Sequence, residues 1–239
     1  MDIELPVTGG MNGSEEEQRN FPLLRVLTLS QNLLPAIKLN NFLLPNLETL
    51  NFDTNQITKI EGFPQAKLKK LQSLSLQSNR LAEINLTNAS LDSLTYLDLR
   101  ENVLVRVLGL ETLKNLRSLD MNKNNITEIV WNKASLEEVT TINLMNNRLT
   151  MFDAFSLAKG VKWRDLVHLN LTSNDIVEVD LEGCSLSLLK TIVMPSNQIR
   201  RVKLGKSVFP ELTLLDFRNS RLMQIATRSQ TLKGCQLRR

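Results

Sequence analysis

The sequence predicts a solenoid, one continuous stack of short parallel strands, and three observations carry that expectation. An eleven-residue skeleton, clearest as LTYLDLRENVL from Leu94 to Leu104, returns nine times, starting at Leu24, Leu47, Leu71, Leu94, Leu116, Val139, Leu166, Leu189 and Leu212. Successive copies begin 22 to 24 residues apart, with a single interval of 27. Inside each copy, triplets such as Leu97-Asp98-Leu99 alternate with period two, the spacing of a strand with one buried face. Each copy can bury its leucines only against the next, so one copy alone would not fold.

Composition agrees with this reading. At 239 residues and 42% hydrophobic content the chain can bury a sizeable core. Aromatic residues make up only 5%, with a single tyrosine, Tyr96, and two tryptophans, Trp131 and Trp163, so leucine must fill the interior. Two cysteines, Cys184 and Cys235, are too few for a disulfide framework or a four-ligand zinc site, and they fit a reducing compartment. No stretch of about 18 apolar residues occurs, so no membrane span is expected. The N-terminal segment lacks the basic and then apolar layout of a signal peptide. The expected location is cytoplasmic, with an extracellular or cell-surface position as the alternative if a leader has been removed.

In chain order, residues 1–20 read as a flexible acidic leader, with Gly9, Gly10, Gly13 and the run Glu15-Glu16-Glu17. Within it Leu5-Pro6-Val7-Thr8-Gly9 matches the sorting signal of Gram-positive surface proteins, but at the opposite end from where such signals act. The nine repeats occupy residues 21–226. After each strand the chain must bend inward, where backbone polar groups would lack partners at a cost of about 1–3 kcal/mol each. An asparagine recurs at that bend: Asn32, Asn55, Asn79, Asn102, Asn124, Asn147, Asn174 and Asn197. The ninth copy departs from this, with Ser220 in that place and Asn219 beside it. Between bend and next strand, sets such as Leu81, Ile84 and Leu86 should line the return as extended or 3₁₀ segments. In the long return, from Thr150 to Asp165, Asp153 could cap a short helix stopped by Gly160, its rings Phe152, Phe155 and Trp163 packing inward. Residues 227–239 read as a basic tail or the end of the stack. From Ile199 onward there are ten basic and two acidic residues, net +8, against −4 for the remainder.

These residues resemble the leucine-rich repeat family, whose motif is L-x-x-L-x-L-x-x-N-x-L. The resemblance implies an α/β solenoid, a right-handed horseshoe with about nine parallel strands on its concave face and short 3₁₀, extended or helical segments on its convex face. It also implies that the eight asparagines form the family's asparagine ladder. The repeat length is similar to the short-repeat class of intracellular phosphatase regulators and ciliary proteins, and the G-x-I-P segment of plant receptors is missing.

Nothing in the sequence points to catalysis. His168 is the only histidine, and neither a G-x-S-x-G nor a phosphate-binding G-x-x-x-x-G-K segment occurs. Neither a cofactor nor a metal is expected. Sequons at Asn12, Asn85, Asn88, Asn125 and Asn170 read as incidental. In the family, partners dock on the concave face, which here carries mostly small polar residues. Tyrosine and arginine favour interface hot spots, and the fourth and fifth copies gather Tyr96, Asp98, Arg100, Asp120, Asn122 and Lys123, with His168 further along. These are the expected partner-binding residues of a non-enzymatic protein-interaction scaffold. An extracellular recognition domain is the alternative. RNA binding through Arg200, Arg201, Lys203, Lys206, Arg218, Arg221 and Arg228 is a weaker one, because stacking aromatics are nearly absent there.

Overall fold

The computed structural model describes residues 19–129, 136–152, 163–184, 186–227, 232 and 234–239. Among the described residues the period-two triplets form one parallel sheet of ten strands. They are Val26–Thr28, Thr49–Asn51, Ser73–Ser75, Tyr96–Asp98, Ser118–Asp120, Thr141–Asn143, His168–Asn170, Thr191–Val193, Leu214–Asp216 and Gln236–Arg238. They pair in chain order, with equivalent positions directly opposite, as in Ser73, Tyr96 and Ser118. The sheet thus runs one strand beyond the nine copies, Gln236–Arg238 pairing with Leu214–Asp216.

The other side of each turn is irregular. Short parallel pairs join Ala36–Lys38 to Lys59–Glu61 and Glu83–Asn85 to Arg106–Leu108, and Glu178–Asp180, Arg201–Gly205 and Gln224–Thr227 form a three-stranded ribbon. Among the described residues the only helical segments are two 3₁₀ turns, Leu39–Asn41 and Leu110–Thr112. The helix expected to start at Asp153 falls outside the described residues. Phe152 and Trp163 at its flanks are buried in the core, as that expectation required of them.

Between the two sides lies one apolar core. Leu50, Leu74, Leu97, Leu119, Leu169 and Leu215, one from each of six strands, are each at most 1% exposed. The turns pack backbone to backbone. Gly109 has φ 87°, and a Cβ there would lie 2.3 Å from the carbonyl carbon of Leu86, so glycine is required by conformation and by space.

The bend after each strand has a fixed form. The residue before the ladder position takes a left-handed conformation in all nine copies, φ between 53° and 59°: Gln31, Thr54, Ser78, Glu101, Lys123, Asn146, Ser173, Ser196 and Asn219. This turns its N–H onto the next copy, as in Thr54 N–H to Gln77 O (2.8 Å) and Glu101 N–H to Asn122 O (2.9 Å). Only two of the nine are asparagines, the residue that adopts this conformation readily.

The ladder asparagines link each copy to the one before it. Asn102 Nδ2 donates to Leu99 O (3.1 Å) in its own copy and to Leu76 O (2.9 Å) in the preceding one, while Oδ1 accepts Leu81 N–H (3.0 Å). Asn55, Asn79, Asn124, Asn147, Asn174 and Asn197 repeat this pattern. Asn32 differs. It is exposed, and its amide donates only within its own copy, to Leu29 and Ser30. At the other end Ser220 Oγ is buried and makes no hydrogen bond among the described residues, being too short to bridge copies.

Candidate functional site

The sheet face is where side chains of many strands converge, and the strand ends determine much of its chemistry. The last residue of most strands is Asp or Asn, whose Oδ1 accepts the N–H two residues on. Asn51 does so for Asp53 (2.8 Å), Asp98 for Arg100 (3.1 Å), Asp120 for Asn122 (3.0 Å), Asn143 for Met145 (3.3 Å), Asn170 for Thr172 (3.0 Å) and Asp216 for Arg218 (3.0 Å). These side chains cap the backbone as it leaves the sheet. Where the third copy has Ser75, Asp53 of the neighbouring copy supplies the acceptor to Gln77 N–H at 2.8 Å. Where the eighth has Val193, residue 195 is proline and there is no N–H to satisfy.

In the second to sixth copies the caps join a polar network. Tyr96 stands between Ser73 and Ser118 of the adjacent strands, and its hydroxyl donates to Asp98 Oδ2 at 3.0 Å. Arg100 Nη2 donates to Gln77 Oε1 at 2.9 Å. Its Nε lies 3.0 Å from Asp98 Oδ2, an ion-pair contact without hydrogen-bond alignment. Asp98 itself is only 1% exposed. Burial pushes its carboxyl up, against the Arg100 N–H and guanidinium, which pull it down. Burial, reinforced by the Asp98 charge, pushes the Tyr96 phenol up to about 12. Asp120 accepts from Asn122 Nδ2 (2.6 Å) and Asn143 Nδ2 (3.1 Å).

Three of the expected site residues, Asp98, Asn122 and Lys123, therefore stand differently from the expectation. Asp98 and Asn122 are buried, and Asp98 acts by positioning Tyr96 and Arg100. Lys123 is at the left-handed bend, off the strand. It pairs with Glu101 at 2.6 Å, while Ser78 donates to the other Glu101 oxygen at 2.7 Å. The Lys123 bond, followed by that of Ser78, holds the Glu101 carboxyl below its ordinary range. His168 is exposed, two strands beyond Ser118, with Nδ1 2.9 Å from Thr191 Oγ1. The structure brings Tyr96, Asp98 and Arg100 together, sets Asp120 and Asn122 beside them, and leaves His168 apart. Sequence reasoning missed Gln77, Glu101, Ser78 and Asn143. The spacings Asp98-x-Arg100 and Asp120-x-Asn122, which put two side chains on one face of a strand, were the available signal.

From the sixth copy on, the face is sparser. Met145, Val193, Pro195 and Leu214 are half-exposed there. One further ion pair closes this end: Arg218 Nε lies 3.1 Å from both Asp216 oxygens and Nη2 2.7 Å from Oδ2, holding that carboxyl below its ordinary range. No group of three or more His, Cys, Asp or Glu suited to a metal occurs among the described residues.

The fold is that of the leucine-rich repeat solenoids. Among solved structures, a chain of the Toll–Spatzle complex of Drosophila superposes with TM-score 0.62 at 20% identity, covering 91% of this chain and 35% of that one. A chain of the octameric complex of latrophilin 3, Unc5D and FLRT2 gives TM-score 0.54 at 22% identity, over 89% of this chain and 78% of that one. A chain of the TLR13–ssRNA13 complex gives 0.51 at 22%, over 79% and 30%. This chain thus spans about a third of the length of the Toll and TLR13 chains. No protein-family model and no curated protein matches the sequence.

Proposed function

We propose that this chain is a non-enzymatic interaction scaffold that binds a protein on the sheet face of its third to fifth copies. The observation that carries the reading is the network around Tyr96 and Arg100. Both are half-exposed, both are held in place by buried Asp98, and Gln77 fixes the guanidinium from the next strand. An aromatic ring and an arginine already ordered lose little entropy on binding, which is what an interface hot spot requires. Lys123 and Asp120 border them, and His168 lies outside this patch. Two of the similar folds come from protein complexes, Toll with Spatzle and FLRT2 with latrophilin 3 and Unc5D, which supports the same use here. A cytoplasmic location is supported by the low cysteine content, two in 239 residues, Cys184 and Cys235. Among the described residues no helix is long and apolar enough to cross a membrane.

Affinity capture from the native lysate, run with the wild-type chain and with Tyr96→Ala/Arg100→Ala, tests the proposal. A protein retained by the first and lost by the second is the expected result. Equal retention by both overturns the assignment of this patch.

A further inference from the structure

We infer that the last strands of the sheet form a second binding surface, for an acidic protein segment carrying apolar side chains. The surface rests on different residues from the Tyr96 network. Val193, at the end of its strand, and Pro195, two residues beyond it, are half-exposed, and every other strand from the second to the ninth has Asn, Asp or Ser at the Val193 position. Leu214, also half-exposed, is directly opposite Thr191 on the following strand. The eighth copy can be apolar there because Pro195 has no N–H to cap, so this break in the polar face costs the fold nothing.

Charge lies alongside. Arg218 extends from the ninth strand with its side chain 53% exposed, oriented by Asp216. The tenth strand puts Arg238 directly opposite Asp216, so Val193, Asp216 and Arg238 stand in one row across three strands. At about 4.8 Å per strand, the apolar ridge and Arg238 are about 10 Å apart. Arg218 makes the direct ion pair with Asp216, so Arg238, which acts on that carboxylate only at a distance, and the exposed Lys190 and Arg221 leave this end with an excess of positive charge. The chain from Ile199 onward carries net +8. Arginines beside a desolvated apolar ridge fit carboxylates flanking apolar anchors. Nucleic acid fits less well, because no Phe, Tyr or Trp is found on the described strands beyond Tyr96 to stack on a base.

The test is fluorescence anisotropy with the full chain and three labelled probes: a synthetic peptide in which glutamates flank leucines, the same peptide with each glutamate replaced by glutamine, and an oligouridylate. The acidic peptide is expected to bind tightest, with affinity falling as salt rises. Arg238→Gln, which leaves the Asp216–Arg218 pair intact, should weaken it roughly fivefold or more. Val193→Ser should weaken it as well, whereas Tyr96→Ala/Arg100→Ala should leave it unchanged. Failure of the acidic peptide to bind, equal affinity for the glutamine peptide, or an Arg238→Gln variant that binds like wild type would overturn the inference. Tighter binding of the oligouridylate would overturn it in favour of a nucleic-acid surface.

Discussion

The two ends of the sheet face share one backbone and differ in almost everything exposed on it. In the third to fifth copies the side chains bond to one another both within a copy, as Tyr96 to Asp98 and Asn122 to Asp120, and across strands, as Arg100 to Gln77 and Lys123 to Glu101. From the sixth to the eighth they bond mainly to their own strand end, and the face becomes half-apolar at Met145, Val193 and Pro195. Beneath both lie the same buried leucines and the same asparagine bonds. The difference teaches that stability in this chain is set by the repeated positions, while the proposed recognition rests on the variable ones, so the two can be perturbed separately.

The largest expected effect tests the shared half of that statement. Leu97→Ala beneath the network and Leu169→Ala beneath the sparse region should each cost about 2–5 kcal/mol in denaturant unfolding. A marked inequality between them would mean that the network itself stabilises its end. Next comes the ladder. Asn102→Ala strands Leu81 N–H and leaves the Leu76 carbonyl with only its Asn79 donor, and should cost about 1–3 kcal/mol. Ser220→Asn, which restores the bridge missing in the ninth copy, should stabilise by about 1 kcal/mol in the same assay.

Smaller effects separate capping from recognition. Asn170→Ala should cost about 1 kcal/mol by freeing Thr172 N–H. Val193→Asn should change stability by less than about 0.5 kcal/mol, since Pro195 offers no N–H to cap. If Val193→Asn stabilised as much as Asn170→Ala destabilises, the backbone explanation of these polar strand ends would fail.

The smallest effect is spectroscopic. Tyr96 is the only tyrosine, so phenolate absorbance reports it alone. Its midpoint should lie near 12 in the folded chain, against about 10 unfolded. A phenol raised by folding contributes stability that is full below the unfolded value and is lost as pH rises through the folded one, a window of about pH 10 to 12. Asp98→Asn should lower the midpoint only in part, because burial is the larger cause. An ordinary midpoint in the wild-type chain would mean that Tyr96 is neither buried nor bonded to Asp98 as described.

The sequence made the strands, their faces and the ladder legible because those positions recur with a fixed period and a fixed residue type. The tenth strand was not legible. Its register puts Gly234 where the other copies have leucine or valine, so only Leu237 retains the pattern. The left-handed bends gave no signal either, since Gln, Thr, Ser, Glu and Lys occupy most of them and only the backbone of the next copy holds them there. At the candidate site, residue types pointed to the right strands but not to roles. Asp98 reads as exposed acid by its column and is buried, because Tyr96 and Arg100 of the same strand region fold over it.

The claim that recognition resides in the third to fifth copies is tested most directly by affinity. With the captured partner purified, calorimetry should show binding weakened about 100-fold or more by Tyr96→Ala/Arg100→Ala, as expected for two hot-spot residues, with the unfolding midpoint nearly unchanged. An affinity within about twofold of wild type, for a variant that folds normally, would contradict the account.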